Sequence, residues 1–355
     1  MNIKGLYSHR TFVRSSVNIC LAICGGAAMM CATAVAQNAK PALEALDPEF
    51  YKLIDKDATL DKLPIDLPNN KTFEVSFGKF KHFIEGPLWD PHGFLIFSDI
   101  YGDRIYQLQS SGMTVLRDEA GYPNGLTFDQ HGRLLICDQK LRRLERVEAN
   151  GALTVLADSW EGKKLNAPND VVVRRDGTIY FTDPFWKFPP GAVQELSFQA
   201  IWRITPDGIL SIAAQDFGLP NGIGLSPDEK TLYLGDTSRK KLFAFNIKAD
   251  GSLSDRKLFA DLASTEVGAV DGMKVDERGN VYTTGPGGVW IFDATGKHLG
   301  SIHAPAIPAN LAWGGPQYRS LYLATPDAIY RLHTKVKGFV TYGKGPKLLS
   351  SPRSE

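Results

Sequence analysis

The sequence predicts an all-β chain closed into a six-bladed β-propeller, with four-stranded blades around a central channel. Three observations carry this. A turn motif recurs six times, a short apolar strand follows each copy, and the composition is that of a soluble, turn-rich chain. The clear turns are Trp89-Asp90-Pro91-His92-Gly93, Phe128-Asp129-Gln130-His131-Gly132, Val173-Arg174-Arg175-Asp176-Gly177 and Val275-Asp276-Glu277-Arg278-Gly279. Ser226-Pro227-Asp228-Glu229-Lys230 and Gly314-Gly315-Pro316-Gln317-Tyr318 are degenerate copies. Successive turns lie about 39 to 53 residues apart, close to the length of a four-stranded blade and far longer than a β-solenoid repeat. The following strands read Leu95-Ile96-Phe97, Leu134-Leu135-Ile136, Ile179-Tyr180-Phe181, Leu232-Tyr233-Leu234, Val281-Tyr282 and Leu321-Tyr322-Leu323. Hydrophobic residues make up 43% and charged residues 22%, which argues against a disordered chain and a polytopic membrane protein. Gly 34 and Pro 21 suit many tight turns.

Residues 1–36 read as a secretory leader. Lys4, Arg10 and Arg14 precede an uncharged apolar run from Val17 to Ala34, and Ala34-Val35-Ala36 supplies a small-residue cleavage site. An uncleaved anchor is disfavoured because the run is near the spanning minimum and rich in Gly and Ala. The expectation is an exported protein, periplasmic or secreted, with no stable membrane insertion after cleavage. Cys20, Cys24 and Cys31 then leave with the leader, so Cys137 has no intramolecular disulfide partner. Removing the three cations takes the formal charge from +1 to −2, and no basic block points to nucleic acid.

Residues 37–71 read as a lead-in, with a short helix within 47–53. Residues 72–345 are the propeller and 346–355 a tail. A ring of this kind is commonly completed by a strand from the opposite terminus, which leaves no long exposed edge. Phe73-Glu74-Val75-Ser76-Phe77 is the candidate for that strand.

The repeat exposes a polar phase. Eight residues before each turn end stand Glu85, Asn124, Asn169, Asp271 and Asn310, and nine before Lys230 stands Asn221. If this phase opens the innermost strand, ring closure gathers all six side chains at one channel mouth. Two carboxylates with amide oxygens, and neither imidazole nor thiolate, suit one divalent cation. Ca²⁺ or Mg²⁺ fits the hard donors, and Zn²⁺ or Mn²⁺ is not excluded by them. The competing reading is that these residues cap turns and visit left-handed conformations, which accounts for one copy but poorly for six in phase. A second column, Asp99, Asp138, Asp183 and Asp236, with Gly285 and Thr325 in the other copies, reads mainly as strand-end caps. Asp183 is singled out as a substrate or second-cation contact. No Gly-x-Ser-x-Gly elbow, phosphate loop or cysteine pair occurs, and the scattered histidines and Cys137 read as packing or surface residues.

These residues resemble the senescence marker protein/gluconolactonase/luciferin-regenerating-enzyme-like family. The matching stretches include Glu85-Gly86-Pro87-Leu88-Trp89, Asn124-Gly125-Leu126-Thr127-Phe128-Asp129, Leu165-Asn166-Ala167-Pro168-Asn169-Asp170, Tyr180-Phe181-Thr182-Asp183-Pro184, Pro220-Asn221-Gly222 and Asp271-Gly272-Met273. The resemblance implies a divalent cation on Glu85, Asn169, Asn221 and Asp271, and hydrolysis of lactones or related cyclic esters. It further implies Asp271 as the base that activates water, with attack by a cation-held hydroxide as the alternative, and Asn124 and Asn310 as residues orienting substrate. Two departures bear on the substrate. Gln139 replaces a His common in bacterial relatives, and Ala167 an Arg of animal ones. Trp186 and Phe188 would give a more aromatic rim. A phosphotriesterase-like hydrolase and a non-catalytic secreted propeller with a structural cation are the alternatives.

Overall fold

The repeated turn is built by its aspartate. Asp129 Oδ1 accepts the amides of His131 and Arg133, both at 2.9 Å, while the Gly132 amide donates to the Asp129 carbonyl. Asp276 treats Arg278 and Asn280 in the same way. Gly132 and Gly279 follow with φ of +72° and +89°, a conformation that costs glycine little. Each such hairpin joins the first two strands of a blade.

The computed structural model describes residues 42–75, 78–186, 191–343 and 345, all within one unit spanning Lys40–Glu355. The expected leader and tail lie outside the described residues. Six antiparallel blades follow one another. Blade one is Ile84–Asp90, Phe94–Asp99, Arg104–Gln109 and Gly112–Asp118. Blade two is Pro123–Phe128, Leu134–Asp138, Arg143–Val147 and Leu153–Ala157. Blade three is Val171–Val173, Ile179–Asp183, Ala200–Ile204 and Leu210–Gln215, and blade four is Pro220–Leu225, Thr231–Asp236, Lys241–Ile247 and Leu253–Asp261. Blade five is Met273–Val275, Val281–Gly285, Gly288–Phe292 and His298–Ile302. Blade six begins with Asn310–Gly314, Ser320–Thr325 and Ala328–His333. The first strand of each blade touches the first strand of the next all the way round, so these six line the channel.

The ring is closed by a different segment from the one expected. Asp61–Lys62, not Phe73–Phe77, supplies the outer strand of blade six, with Asp61 opposite Arg331 and Lys62 opposite Tyr330. Leu63, Ile65 and Leu67 continue along the seam between blades six and one. Pro64 and Pro68 stand among these alternating apolar residues. Proline is tolerated at such an edge, where no ladder amide is needed. Phe73–Val75 instead pairs with Gly78–Phe80 as a separate hairpin. Its aromatic residues pack on blade one, Phe73 stacking on Tyr101 at 4.8 Å and Phe80 meeting Phe83 edge-on at 5.3 Å.

The lead-in is therefore part of the ring. Leu43–Ala45 adds a fifth strand to blade five. The helix is shorter than 47–53, spanning Phe50–Leu53. It presses Phe50, Leu53 and Ile54 into the core shared by blades five and six. Burial of three such side chains contributes about 1.5–3 kcal/mol each. Gly300 makes room for them, because a Cβ there would lie 2.5 Å from the Phe50 ring.

At the other end of the chain, residues 336–342 cross the channel mouth formed by the repeated turns. Lys337 O accepts from the Glu277 amide, the Gly338 amide donates to Tyr318 O, and the Phe339 amide donates to Val275 O. The Tyr342 hydroxyl donates to Trp89 O. Above this strap lies a chamber lined by Leu88, Leu126, Val172, Ile223, Val275 and the side chain of Lys274.

Candidate metal centre

All six residues of the polar phase stand at the entry of their blade's innermost strand. Glu85, Asn124, Asn221 and Asn310 lie in the first two positions of theirs, while Asn169 and Asp271 come two residues before theirs. They share the mouth opposite the strap. Glu85, Asn124, Asn169, Asn221 and Asn310 are buried, and Asp271 is partly exposed.

The glycine after a ring residue explains how the ring is drawn together. A Cβ on Gly86 would lie 2.2 Å from Asn124 O, one on Gly125 2.5 Å from Asn169 O, and one on Gly222 2.0 Å from Asp271 O. On Gly272 it would lie 2.1 Å from Asn310 Oδ1. Each glycine is the contact point of its blade with the ring residue of the next. Of the four, Gly86 alone has positive φ, so the others are required by close approach and not by a left-handed turn. Blade three has Asp170, and blade six Leu311, where the other four have glycine. Asp170 Oδ1 accepts the Val171 amide and its Oδ2 lies 3.4 Å from the Ile223 amide of blade four.

The ring residues also hold one another. Glu85 Oε2 accepts from the Gly86 amide at 3.0 Å and from Asn310 Nδ2 at 2.8 Å. The Leu311 amide donates to Asn310 Oδ1 at 2.7 Å, which fixes the orientation of that amide. Asn310 is thus a donor to Glu85, with its oxygen already engaged. Asn221 Nδ2 donates to Thr237 Oγ1 at 3.1 Å. Burial pushes the Glu85 carboxyl up, with a further push from the Asp170 charge, against the hydrogen bonds from Asn310 and Gly86 and the charge of Lys274. Burial raises Asp271 well above the ordinary carboxylate range, and the Glu85 and Asp170 charges add to it.

Two facts bear on a cation. The side-chain oxygens of Asn124 and Asn221 are buried without a hydrogen-bond partner, an arrangement that costs free energy unless a positive centre or donor is supplied. Two carboxylates, buried Glu85 and half-buried Asp271, repel across the same mouth, and a dication would relieve both desolvation and repulsion. Among the described residues no group of three or more His, Cys, Asp or Glu forms a metal cluster. The donor set is instead mixed, carboxylate with amide oxygen, and it fits a hard ion.

The second column does different work. Asp99 Oδ1 accepts the Phe83 and Gly102 amides, and Asp99 Oδ2 meets His82 Nδ1 at 2.6 Å. Asp138 accepts the Leu141 amide, and Asp236 those of Gly218 and Leu219. Asp183, expected to touch substrate, is fully buried: it accepts the amides of Asn166 and Ala167 and the Trp202 indole N–H. Those three donors use its oxygens to pin the loop entering blade three, the work of a strand-end cap.

The two departures prove to be buried as well, Ala167 completely and Gln139 at 3% exposure. Arg142 ties the loop entering blade three to the loop between that blade's second and third strands, its Nε donating to Leu165 O and Asn166 O and its Nη1 to Val193 O. Trp186 packs against Ile100 and Tyr101, and Phe188 lies outside the described residues. Cys137 is buried and its thiol is raised by desolvation, as suits a small hydrophobe. Sequence reasoning missed Asp170 and Lys274. The signals were an aspartate at the glycine position of blade three, and a lysine within the apolar run Met273-Lys274-Val275.

The family model described as SMP-30/Gluconolactonase/LRE-like region matches residues 83–327. A gluconolactonase of Zymomonas mobilis is 27% identical over 281 residues, covering 72% of this chain and 79% of that protein. Diisopropyl-fluorophosphatase of Loligo vulgaris is 28% identical over 239 residues, covering 62% of this chain and 75% of that one. A solved gluconolactonase structure from Xanthomonas campestris superposes with a TM-score of 0.71 at 30% identity, covering 82% of this chain and 94% of that one.

Proposed function

The chain belongs to the SMP-30/gluconolactonase/LRE-like family, and from that premise we propose that it is a lactonase, a divalent-cation-dependent hydrolase of cyclic carboxylic esters. The observation that carries the site is the pair of carboxylates, buried Glu85 and half-buried Asp271, facing one channel mouth beside unpartnered amide oxygens. Glu85, Asn169, Asn221 and Asp271 would hold the cation, with Ca²⁺ favoured by the all-oxygen donors. When bound, it would draw electron density from the lactone carbonyl and stabilise the negative charge that develops there.

The chain's own residues do the rest. Asp271 takes a proton from the attacking water as the new carbon–oxygen bond forms. The bond from the carbonyl carbon to the ring oxygen then breaks, and that oxygen receives a proton, giving the open hydroxy acid. Asn124, with its amide oxygen unpartnered, orients a substrate hydroxyl. Asn310 acts on the reaction through Glu85, whose carboxylate it fixes. The reading of residues 1–36 as a leader places this enzyme in the periplasm or outside the cell.

The test is a pH-indicator screen over sugar, aliphatic and aromatic lactones, with and without chelator, on the parent and on Asp271→Asn, with Ca²⁺ binding measured in both. Turnover should vanish on chelation, return with Ca²⁺, and fall by about 10²–10⁴ in Asp271→Asn even with the cation saturating. Chelator-insensitive turnover would contradict the cation dependence. Retained turnover in Asp271→Asn would remove its role as base. The similarity to diisopropyl-fluorophosphatase makes phosphorus esters the second substrate class to include.

A further inference from the structure

We propose that Lys274 is the resident counter-cation of the channel, a positioning residue whose ammonium offsets Asp170 and holds the Asn310 amide beneath the ring. Lys274 belongs to the innermost strand of blade five and reaches into the chamber below the candidate cation site. Its Nζ lies among three oxygens: 2.9 Å from Met273 O, 3.4 Å from Asn310 Oδ1 on blade six, and 4.0 Å from Asp170 Oδ2 on blade three. The rest of the chamber wall is mainly apolar, so the ammonium is directed to this end of it.

The charge count gives the position its meaning. Glu85, Asp170 and Asp271 place three carboxylates around one channel, and a single divalent ion leaves one negative charge over. Lys274 supplies the remaining positive charge, and that charge stays in place when the divalent ion is absent. Unpaired buried charge is strongly unfavourable, which is the reason to place a fixed cation here. The second consequence is geometric. With the Leu311 amide and the Lys274 ammonium both on Oδ1, Asn310 must present Nδ2 to Glu85, so the lysine helps aim a proposed ligand from the far side of the channel.

This inference rests on the cation reading of the ring, and the experiment separates the two. Lys274→Met keeps an unbranched apolar stem and removes the charge; Lys274→Arg restores charge. Ca²⁺ affinity is measured by titration calorimetry, and urea unfolding is followed in chelator and in saturating Ca²⁺. Lys274→Met should bind Ca²⁺ at least fivefold more tightly, because a repelling charge has gone while the Leu311 amide still holds Asn310 Oδ1, and should lose stability mainly in chelator, with Ca²⁺ restoring much of it. Folding only when Ca²⁺ is present would be the extreme of the same result. Lys274→Arg should stay within about twofold of the parent affinity. Unchanged or weaker Ca²⁺ binding, with equal losses in both conditions, would mean that Lys274 merely fills space and would overturn the proposal. If the parent binds no divalent ion, the cation reading fails. Lys274→Met, Asp170→Asn and the double variant, unfolded in chelator, then decide the matter, since additive effects would overturn the counter-cation role and strong coupling would support it.

Discussion

Substituting Gly222 by alanine tests whether ring geometry depends on blade-to-blade contact at the glycines. The added Cβ would lie 2.0 Å from Asp271 O, 2.9 Å from the Asp271 carbonyl carbon and 2.9 Å from Gly272 Cα. All three are backbone atoms, so no side chain can swing aside, and blades four and five must part by roughly 1 Å or more to reach ordinary van der Waals separation. Gly222 does not have positive φ, so alanine's backbone preference adds no penalty. Overpacking of this kind costs about 1–3 kcal/mol, against about 0.4–1 kcal/mol gained from a stiffer unfolded chain. The net loss of about 1–2 kcal/mol should lower Tm by roughly 2–8 °C. The larger effect should be catalytic, since shifting Asp271 by about 1 Å is worth on the order of 10²-fold in rate. Lactone hydrolysis at saturating Ca²⁺ and thermal unfolding would be compared with Gly343→Ala, where nothing lies within 4 Å of the added Cβ. Wild-type kcat and Tm in Gly222→Ala would refute the close-approach argument.

Chelation should lower stability in proportion to cation occupancy: with Ca²⁺ held at 100 times its Kd, its removal should cost about 2.7 kcal/mol by urea unfolding. Asn124→Ala and Asn221→Ala should narrow that gap if those oxygens face the ion. Tyr342→Phe removes the strap's hydroxyl bond to Trp89 O and should cost about 0.5–1.5 kcal/mol while leaving kcat unchanged, because the strap crosses the opposite mouth. Glu145 is pushed up to about 7 by burial and then by the Asp138 charge. Its folded value is above the unfolded one, so its contribution to stability is complete below about 4.5 and is lost as pH rises through about 7. Glu145→Gln should therefore flatten the stability profile across that window by on the order of 2 kcal/mol, and a slope unchanged from the parent would contradict the shift.

The ring was legible because its signals repeat. Asp129 and Asp276 build the same turn, and a phase counted back from those turns lands on Glu85, Asn124, Asn169, Asn221, Asp271 and Asn310, which the fold brings to one mouth. Features that occur once were less accessible. The closing strand at Asp61–Lys62 is only two residues long and is soon followed by Pro64, whereas Phe73–Val75 has stronger β propensity but packs Phe73 on blade one. Asp183 shares its column with Asp99, Asp138 and Asp236 and shares their capping work, so its proximity to the ring in sequence carried no information about which way it points. The orientation of the Asn310 amide depends on Leu311, Lys274 and Glu85 together, and those come from three blades.

The two-residue strand at Asp61–Lys62 also sets an order of events in folding. Its ion pair, Asp61 with Arg331, joins positions 270 apart in the chain. Loop-closure entropy for a separation of that size is about 5 kcal/mol, and it must be met before the contact contributes anything. Blades one to five can each form from neighbouring residues, but the seam between six and one waits for the last strands to arrive. Until then the apolar run at Leu63, Ile65 and Leu67 has no partner and blade six has an open edge, which makes the nearly complete ring the species most exposed to pairing with another copy of itself.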